Sequence, residues 1–480
     1  MQRILSTTQM RKADEYTIKE LGVPEEVLVE RAGDALANEI SKRYLGGRVL
    51  FCVGKGNNGA DGKVACRILS QEHGFNTQLC EVYNGDFSLL KNKYDIIVDC
   101  IFGTGLNKPV EGKYKECIEL INKSHARVIS CDIPSGLNGD NGRVMGVAVK
   151  ANVTVAIQEF KLGHFLNDGI DYCGEVVCRD IGISVWEEQF ACRIEEKDCK
   201  KFFPPRERNV NKGNFGKVTI FGGSKNFSGS VLLSTTALLA LKMGTGYSNL
   251  AIPNSMYNAY MGLVPECTFT PIKDDDGSII FDEDSLKSLL KYDSIAIGMG
   301  MGKSKQVYKT LCYLLKNYSG KLVIDADGLN SLAEYGKDVL LDKKCTVILT
   351  PHIGEFVRLV NVDKTAVLCD ITCYAKNFAA QYGVVLLLKS ATSVITDGNQ
   401  VFINTTGSSC MAKGGSGDVL SGIVAGLVAR STEPCLETVS VASYLFGKAG
   451  ELAEKDQNVY TPTATDLVKK IEIIVNGYCK

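Results

Sequence analysis

The sequence predicts two α/β domains in tandem, each built on a largely parallel sheet with helices on both faces. Three observations carry this. At 480 residues the chain is too long for one compact core. Short continuous Val/Ile/Leu runs alternate with helical patterns along its length. Most of these runs end in a Gly/Asp/Asn-rich turn, and open parallel sheets bind their ligands beyond the carboxyl ends of the strands.

In the first half the expected strands are Arg48–Val53, Tyr94–Cys100, Ala126–Cys131 and Asn152–Ile157. Apolar residues at helical spacing predict a helix over Leu28–Tyr44. The second half has strands expected at Lys217–Phe221, Ser294–Ile297, Lys321–Ile324, Thr346–Leu349 and Val384–Leu388. Between them, Trp186–Asn209 loses the strand–turn rhythm, mixes charges and contains Pro204–Pro205. The boundary is set inside it, giving domains 1–193 and 194–480.

Hydrophobic residues at 45% and charged residues at 23% are those of an ordinary globular protein. A net charge of -1 offers no basic field for nucleic acid or an anionic membrane. The 18 cysteines are scattered without a Cys-x-x-Cys pair, and with only 4 histidines zinc has little support. Cys52, Cys100 and Cys131 lie in apolar runs and read as small buried hydrophobes. Met1–Lys12 lacks an apolar signal core, and no run is long and apolar enough to span a bilayer. A cytoplasmic protein with reduced thiols is the expectation, and a homo-oligomer is left open.

The chemistry-bearing residues follow the strands. After Arg48–Val53 comes Gly54–Gly62, with Asn57, Asn58, Gly59, Ala60 and Asp61 leading into a helix, where backbone amides can hold a phosphate. A plain glycine turn explains that segment equally well by itself. After the next two strands come Asp99 with Gly103-Thr104-Gly105-Leu106, then Asp132, Pro134, Ser135 and Gly136. Singly, each Asp reads as a turn or cap residue. Together on one sheet edge they suggest a site, in which Asn58, Ser135 and Asp99 could coordinate a monovalent cation. Asp132 could accept a proton or bind a ribose.

LVERAGDALANEI, GKGNNGADGKVACRIL, DCIFGTGL, CDIPSGLNGDNG and EFKLGHFLNDGIDYCGEVVCRDIGIS resemble, in this order, the NAD(P)H-hydrate epimerases, over most of residues 1–190. The resemblance implies a Rossmann-like α/β/α sandwich and interconversion of the R and S hydrates. It implies dinucleotide contacts from Asn57, Asn58, Gly59, Ala60, Asp61, Gly103, Thr104, Gly105, Leu106, Asn107, Lys108, Pro109 and Asp132. Potassium would sit on Asn58, Asp99 and Ser135. Ala60 replaces a usual glycine, which matters if its backbone must be left-handed. Inverting a carbon that bears a hydroxyl and the ring nitrogen needs an acid/base, for which Asp132 is the first choice. Lys161 is a distant second, its plainer reading being a solvated or phosphate-facing lysine.

In the second half, Gly414-Gly415-Ser416-Gly417-Asp418 precedes the apolar helix SGIVAGLVA. A glycine turn at a helix N-terminus makes an anion hole, and Asp418 can take a proton from a hydroxyl during phosphoryl transfer. A glycine turn merely capped by Asp418 is the bland alternative. FGGSKNFSGS, IGMGMGKS, DADGLN, TPHIGE and KSATSVI precede it. Together they resemble the ribokinase-like NAD(P)H-hydrate dehydratases over roughly residues 195–475.

That resemblance implies phosphorylation of the hydrate's ring hydroxyl by ADP or ATP, then loss of phosphate to regenerate NADH or NADPH. Asp418 would be the base. Ser230, Gly300, His352 and Asp418 would contact the hydrate. Lys389, Ser390, Ala391, Thr392, Ser393, Gly415, Ser416 and Gly417 would contact the nucleotide, with Mg2+ bridging its phosphates. Asp325 and Glu355 read equally as outer metal ligands or as strand-end caps. Three positions depart from the family pattern: Ser230 for alanine, Ile353 for proline and Asn211 for histidine. The fused order looks bacterial, which favours ADP. A small-alcohol kinase is the enzymatic rival, and a nucleotide sensor without turnover the non-enzymatic one.

Overall fold

The computed structural model describes residues 1–186, 190–239 and 244–478; Glu187, Glu188 and Gln189 of the expected boundary stretch lie outside the described residues. The chain divides into two compact units, Arg3–Ala191 and Cys192–Lys480, the latter including Met1–Gln2.

The first unit holds a six-stranded sheet of β1 (Arg48–Val53), β2 (Asn76–Glu81), β3 (Ile96–Cys100), β4 (Arg127–Cys131), β5 (Val153–Ile157) and β6 (Glu175–Arg179). Their order is β2-β1-β3-β4-β5-β6, and every pairing is parallel. Strand side chains alternate between faces. Val49, Phe51 and Val53 join a core with α2 (Glu25–Arg43) and α3 (Asn57–Gln71), while Leu50 and Cys52 pack with Cys117, Ile118 and Ile121 of α4 (Gly112–Lys123). Each such buried Val, Leu or Ile contributes about 1.5–3 kcal/mol. Gly33 of α2 lets the helices approach closely, since a β-carbon there would overlap Val64 of α3. An N-terminal helix, α1 (Thr7–Lys19), is closed by a capping box between Ser6 and Gln9.

Four strands lie where they were expected. The edge strands β2 and β6 were not foreseen, because each is only partly buried and lacks a continuous apolar run.

In the second unit the strands are β7 (Lys217–Phe221), β8 (Tyr247–Pro253), β9 (Thr268–Ile272), β10 (Ser294–Ile297), β11 (Lys321–Ile324), β12 (Thr346–Leu349), β13 (Val385–Leu388), β14 (Ser393–Thr396) and β15 (Val401–Asn404). They run β9-β8-β7-β10-β11-β12-β13-β14-β15. Pairings are parallel up to β13, then antiparallel through β14 and β15. The antiparallel extension and the outer strands β8 and β9 were absent from the sequence reading. Helices α5 (Ser228–Leu239), α6 (Lys305–Asn317), α7 (Ala326–Tyr335) and α8 (Ile353–Val360) follow β7, β10, β11 and β12. The glycine turn after β15 starts α9 (Ser416–Arg430), buried from Val419 to Ala429 and packed on α5 and on strands β7, β10 and β11. Among the described residues no helix is long and apolar enough to cross a membrane.

Candidate functional sites

In the first unit the carboxyl ends of β1, β3, β4 and β5 open onto a cleft of about 800 Å3. Asn57, Asn58, Asp61, the whole run Gly103–Pro109 and Asp132 line it. Gly59 and Ala60 are not among the lining residues. A β-carbon on Gly59 would overlap the Gly54 carbonyl, so this glycine serves packing of the turn. Ala60 sits inside α3 without a left-handed backbone, so its methyl costs no conformational freedom there. Gly56 caps α3 with no side-chain hydrogen bond, which leaves first-turn amides for an anion.

Asp132 has a left-handed backbone, φ 64°, unusual outside glycine. Its surroundings hold it there. Its amide donates to the Val155 carbonyl at 2.8 Å. His164 Nδ1 accepts from the Lys161 amide at 3.1 Å, so its Nε2 carries the hydrogen and donates to the Asp132 carbonyl at 2.7 Å. Burial pushes His164 down to about 4, so it is neutral. The Lys161 ammonium is 1% exposed, pairs with Asp132 Oδ1, and donates to the Ile157 carbonyl at 2.7 Å. This corrects the sequence reading of Lys161: it is no solvated lysine but the buried partner of Asp132.

Asp61 and Asp14 also line the cleft. Burial, then the charges of Asp132 and Asp14, push Asp61 up to about 8. Burial, then Asp132, push Asp14 up to about 6.

Behind the cleft, Asp99 is fully buried and accepts from Ser135 Oγ at 2.6 Å, the Ser135 amide at 2.8 Å and Ser130 Oγ at 2.8 Å. Burial raises its carboxyl despite these donors. Asn58 Nδ2 donates to the Cys131 carbonyl at 2.9 Å, whereas its Oδ1 is buried with no partner. Asn58 and the Asp99–Ser135 pair therefore share one sheet edge, and they leave one oxygen unsatisfied.

In the second unit Asp418 occupies the first turn of α9, after Gly415 with φ 89° and no side-chain cap. A β-carbon on Gly415 would meet Leu233, and one on Gly417 would lie 3.4 Å from Lys389 Nζ. Lys389 Nζ donates to Asp325 Oδ1 at 2.9 Å, and Ser421 of α9 donates to Asp325 Oδ2 at 2.6 Å. Burial opposes the Lys389 charge, but Asp325, Glu355 and Asp418 together outweigh it and raise its pKa. Asp418 has no such partner. Burial, then Asp325, push it up to about 7, against a hydrogen bond from Ser230. Gly300 stands beside Ser230, whose Cβ lies 3.2 Å from where a Gly300 side chain would begin. The structure thus gathers Ser230, Gly300, Lys389, Gly417 and Asp418.

His352 caps α8. Its Nδ1 accepts from the Gly354 and Glu355 amides at 2.9 and 3.3 Å, so Nε2 carries the hydrogen and can donate to a ligand. Glu355 returns the bond, accepting from the His352 amide at 2.8 Å. Of the two readings left open, Glu355 is a cap, while Asp325 makes no side-chain cap and anchors Lys389. The Lys389 amide donates to the Pro351 carbonyl at 2.8 Å, which ties the Lys389–Ser393 segment to His352. Ser390 Oγ donates to the Thr392 carbonyl at 2.6 Å and shapes that turn, which carries Ala391. Ser416 Oγ is buried without a partner.

The family model described as NAD(P)H-hydrate dehydratase matches residues 218–473, and that of the YjeF-related protein N-terminus matches 25–84 and 75–163. A bifunctional NAD(P)H-hydrate repair enzyme from Thermofilum pendens is 31% identical over 95% of this chain and 93% of its own. One from Moorella thermoacetica is 32% identical over 99% and 97%. The chain belongs to the bifunctional NAD(P)H-hydrate repair enzymes. It joins an NAD(P)H-hydrate epimerase, an isomerase, to an NAD(P)H-hydrate dehydratase, a lyase. Its ribokinase-like part is similar to the ADP/ATP-dependent dehydratase of Bacillus subtilis co-crystallised with ATP/Mg2+. That likeness has 27% identity and a TM-score of 0.51 over 60% of this chain and 99% of that one.

Within this family frame the departures find local explanations. Ile353 is the first residue of α8, a position where proline is suited only because its amide is not needed. Asn211 caps a short turn by accepting from the Gly213 amide at 2.9 Å. Ser230 adds a hydrogen bond to Asp418. Sequence reasoning missed Asp14 altogether, although a signal existed. Met10, Asp14 and Ile18 recur at helical spacing on α1, an acid set in an apolar stripe, and all three line the cleft.

Proposed function

We propose that residues 1–193 epimerise the hydrates of NADH and NADPH and that residues 194–480 dehydrate the S form at the expense of ADP, yielding AMP and phosphate. The observation that carries the dehydratase reading is Asp418 in the first turn of α9, beside an uncapped glycine turn and Lys389. Ionised Asp418 takes the proton of the hydrate's ring hydroxyl, and that oxygen attacks the terminal phosphorus of the nucleotide. Amides of Gly415–Gly417 and the Lys389 ammonium stabilise the charge on the transferring group. The lone pair of the ring nitrogen then expels phosphate, and loss of a neighbouring ring proton regenerates the reduced nicotinamide. Ser230, Gly300 and His352 contact the hydrate, and Lys389–Ser393 the nucleotide.

Magnesium would be held with the nucleotide's phosphates near Asp418 and Asp327, since Asp325 is already engaged by Lys389 and Ser421, and it would supply charge neutralisation there. In the epimerase, potassium fits the orphaned Asn58 Oδ1 beside the Asp99–Ser135 pair, where it would offset the buried charge and fix the strand-end loops. Replacing Asn58 by Leu should abolish any preference for potassium over lithium. Asp132, paired with Lys161, takes part in the proton transfers of the inversion.

Reduced-nicotinamide absorbance, followed on mixed R and S hydrate with either ADP or ATP, tests this. Recovery of the whole pool with ADP is expected. Recovery with neither nucleotide would sink the reading and leave a small-alcohol kinase as its replacement.

A further inference from the structure

Asp14, Asp61, Asp132 and Lys161 all line the epimerase cleft, brought there by four different elements: Asp14 by α1, Asp61 by α3, Asp132 by the end of β4, and Lys161 by the segment after β5. Lys161 touches Asp132 directly. Asp61 feels the charges of Asp132 and Asp14, and Asp14 those of Asp132, Lys161 and Glu25. Among these groups the Lys161 ammonium is in contact with Asp132 alone, while burial and the charges of Asp132 and Asp14 favour the protonated form of Asp61.

We propose that Asp61 is the general acid of the epimerase and Asp132 its general base, with Asp14 a positioning residue whose charge keeps the proton on Asp61. This rests on the epimerase reading above. Asp61 gives its proton to the hydroxyl oxygen of the substrate. The carbon–oxygen bond breaks, the lone pair of the ring nitrogen forms a carbon–nitrogen double bond, and water departs. A water then adds to the opposite face of the planar carbon, the double-bond pair returns to nitrogen, and Asp132 takes the surplus proton. Each inversion leaves Asp61 ionised and Asp132 protonated, and exchange with solvent resets them.

The groups facing Asp61 are few. Asp14 of α1 has Glu25 of α2 behind it, and Asp132 has Lys161. The thiols Cys100 and Cys131 stand at the strand ends, and His164 is neutral. Arg11 and Lys55 line the same cleft. Asp14 is thus a nearby anion whose removal lowers the affinity of Asp61 for its proton. It lies outside the stretches 25–84 and 75–163 matched by the N-terminal family model.

The full-length protein is given the R hydrate in 18O-water, and S hydrate is followed with its isotope content. Thermal unfolding of the same preparations reports that the first unit of each variant is folded, and nucleotide-dependent dehydration of S hydrate that the second is. The wild type should place solvent oxygen in every inverted molecule. Asp61→Asn should lower epimerase kcat by about 100-fold or more. Asp14→Asn should move the alkaline decline of epimerase activity to lower pH, and Asp14→Glu should restore it. Inversion without 18O uptake, full activity in Asp61→Asn, or an unmoved alkaline limb in Asp14→Asn would each overturn the proposal. A wild type inert toward the R hydrate would overturn the epimerase reading itself.

Discussion

Each half of the chain pairs a lysine with an aspartate at the carboxyl end of a parallel sheet, but the two lysines pair with aspartates of different standing. In the first unit Lys161 pairs with Asp132, the proposed base itself. In the second, Lys389 pairs with Asp325, and for Asp418 burial and the Asp325 charge outweigh the help of Ser230 and Lys389. One device gives two electrostatic outcomes. Lys161 gives Asp132 a cation in contact while Asp61 in the same cleft is pushed up to about 8, whereas Asp418 itself is pushed up to about 7 and stays poised to take a proton.

The comparison breaks most visibly at Asp418. Asp418→Ala should lower nucleotide-dependent dehydration by about 100- to 10,000-fold while R-to-S inversion continues, read by chromatography of the two hydrates. Next come the lysines. Lys161→Met and Lys389→Met each leave a mostly buried carboxylate without its cation, which costs up to about 3–5 kcal/mol. Denaturant unfolding should show a loss of that order in each variant; an unchanged midpoint in either would mean that its ion pair is not intact in solution.

The pH profiles sharpen the contrast. Asp418 works ionised, so dehydration should rise as pH passes through about 7. Asp61 works protonated, so inversion should fall as pH passes through about 8. Profiles measured separately on S and R hydrate decide this, and limbs of the same sign would remove the distinction. The smallest effect belongs to Ser230, whose hydrogen bond favours ionised Asp418. Ser230→Ala should shift the rising limb upward by less than about one pH unit.

Much of this was legible in the sequence, for a physical reason. Central strands of a parallel sheet are buried on both faces, so β3, β5, β10 and β12 stand out as apolar runs, and ligand-facing turns follow them. Edge strands such as β2, Asn76–Glu81, are half-exposed and give no such signal. Within the sites, Asp132 and Asp418 were marked by their glycine-rich neighbours. The partners that tune them were not. That Lys161 reaches Asp132, or that Ser421 and Lys389 share Asp325, depends on elements 29 to 96 residues apart meeting in space. Asp14 lies on a helix that no strand–turn pattern marks, and only its place in the apolar stripe with Met10 and Ile18 points to it.

The most direct test of two separate sites in one chain is the extent of repair of a mixed R and S hydrate pool by Asp132→Ala protein with ADP. Rapid recovery that halts at the S fraction, with the remainder following only at the rate of spontaneous epimerisation, is the expected result. Complete recovery at the wild-type rate would contradict the assignment of inversion to the first unit and of its base to Asp132.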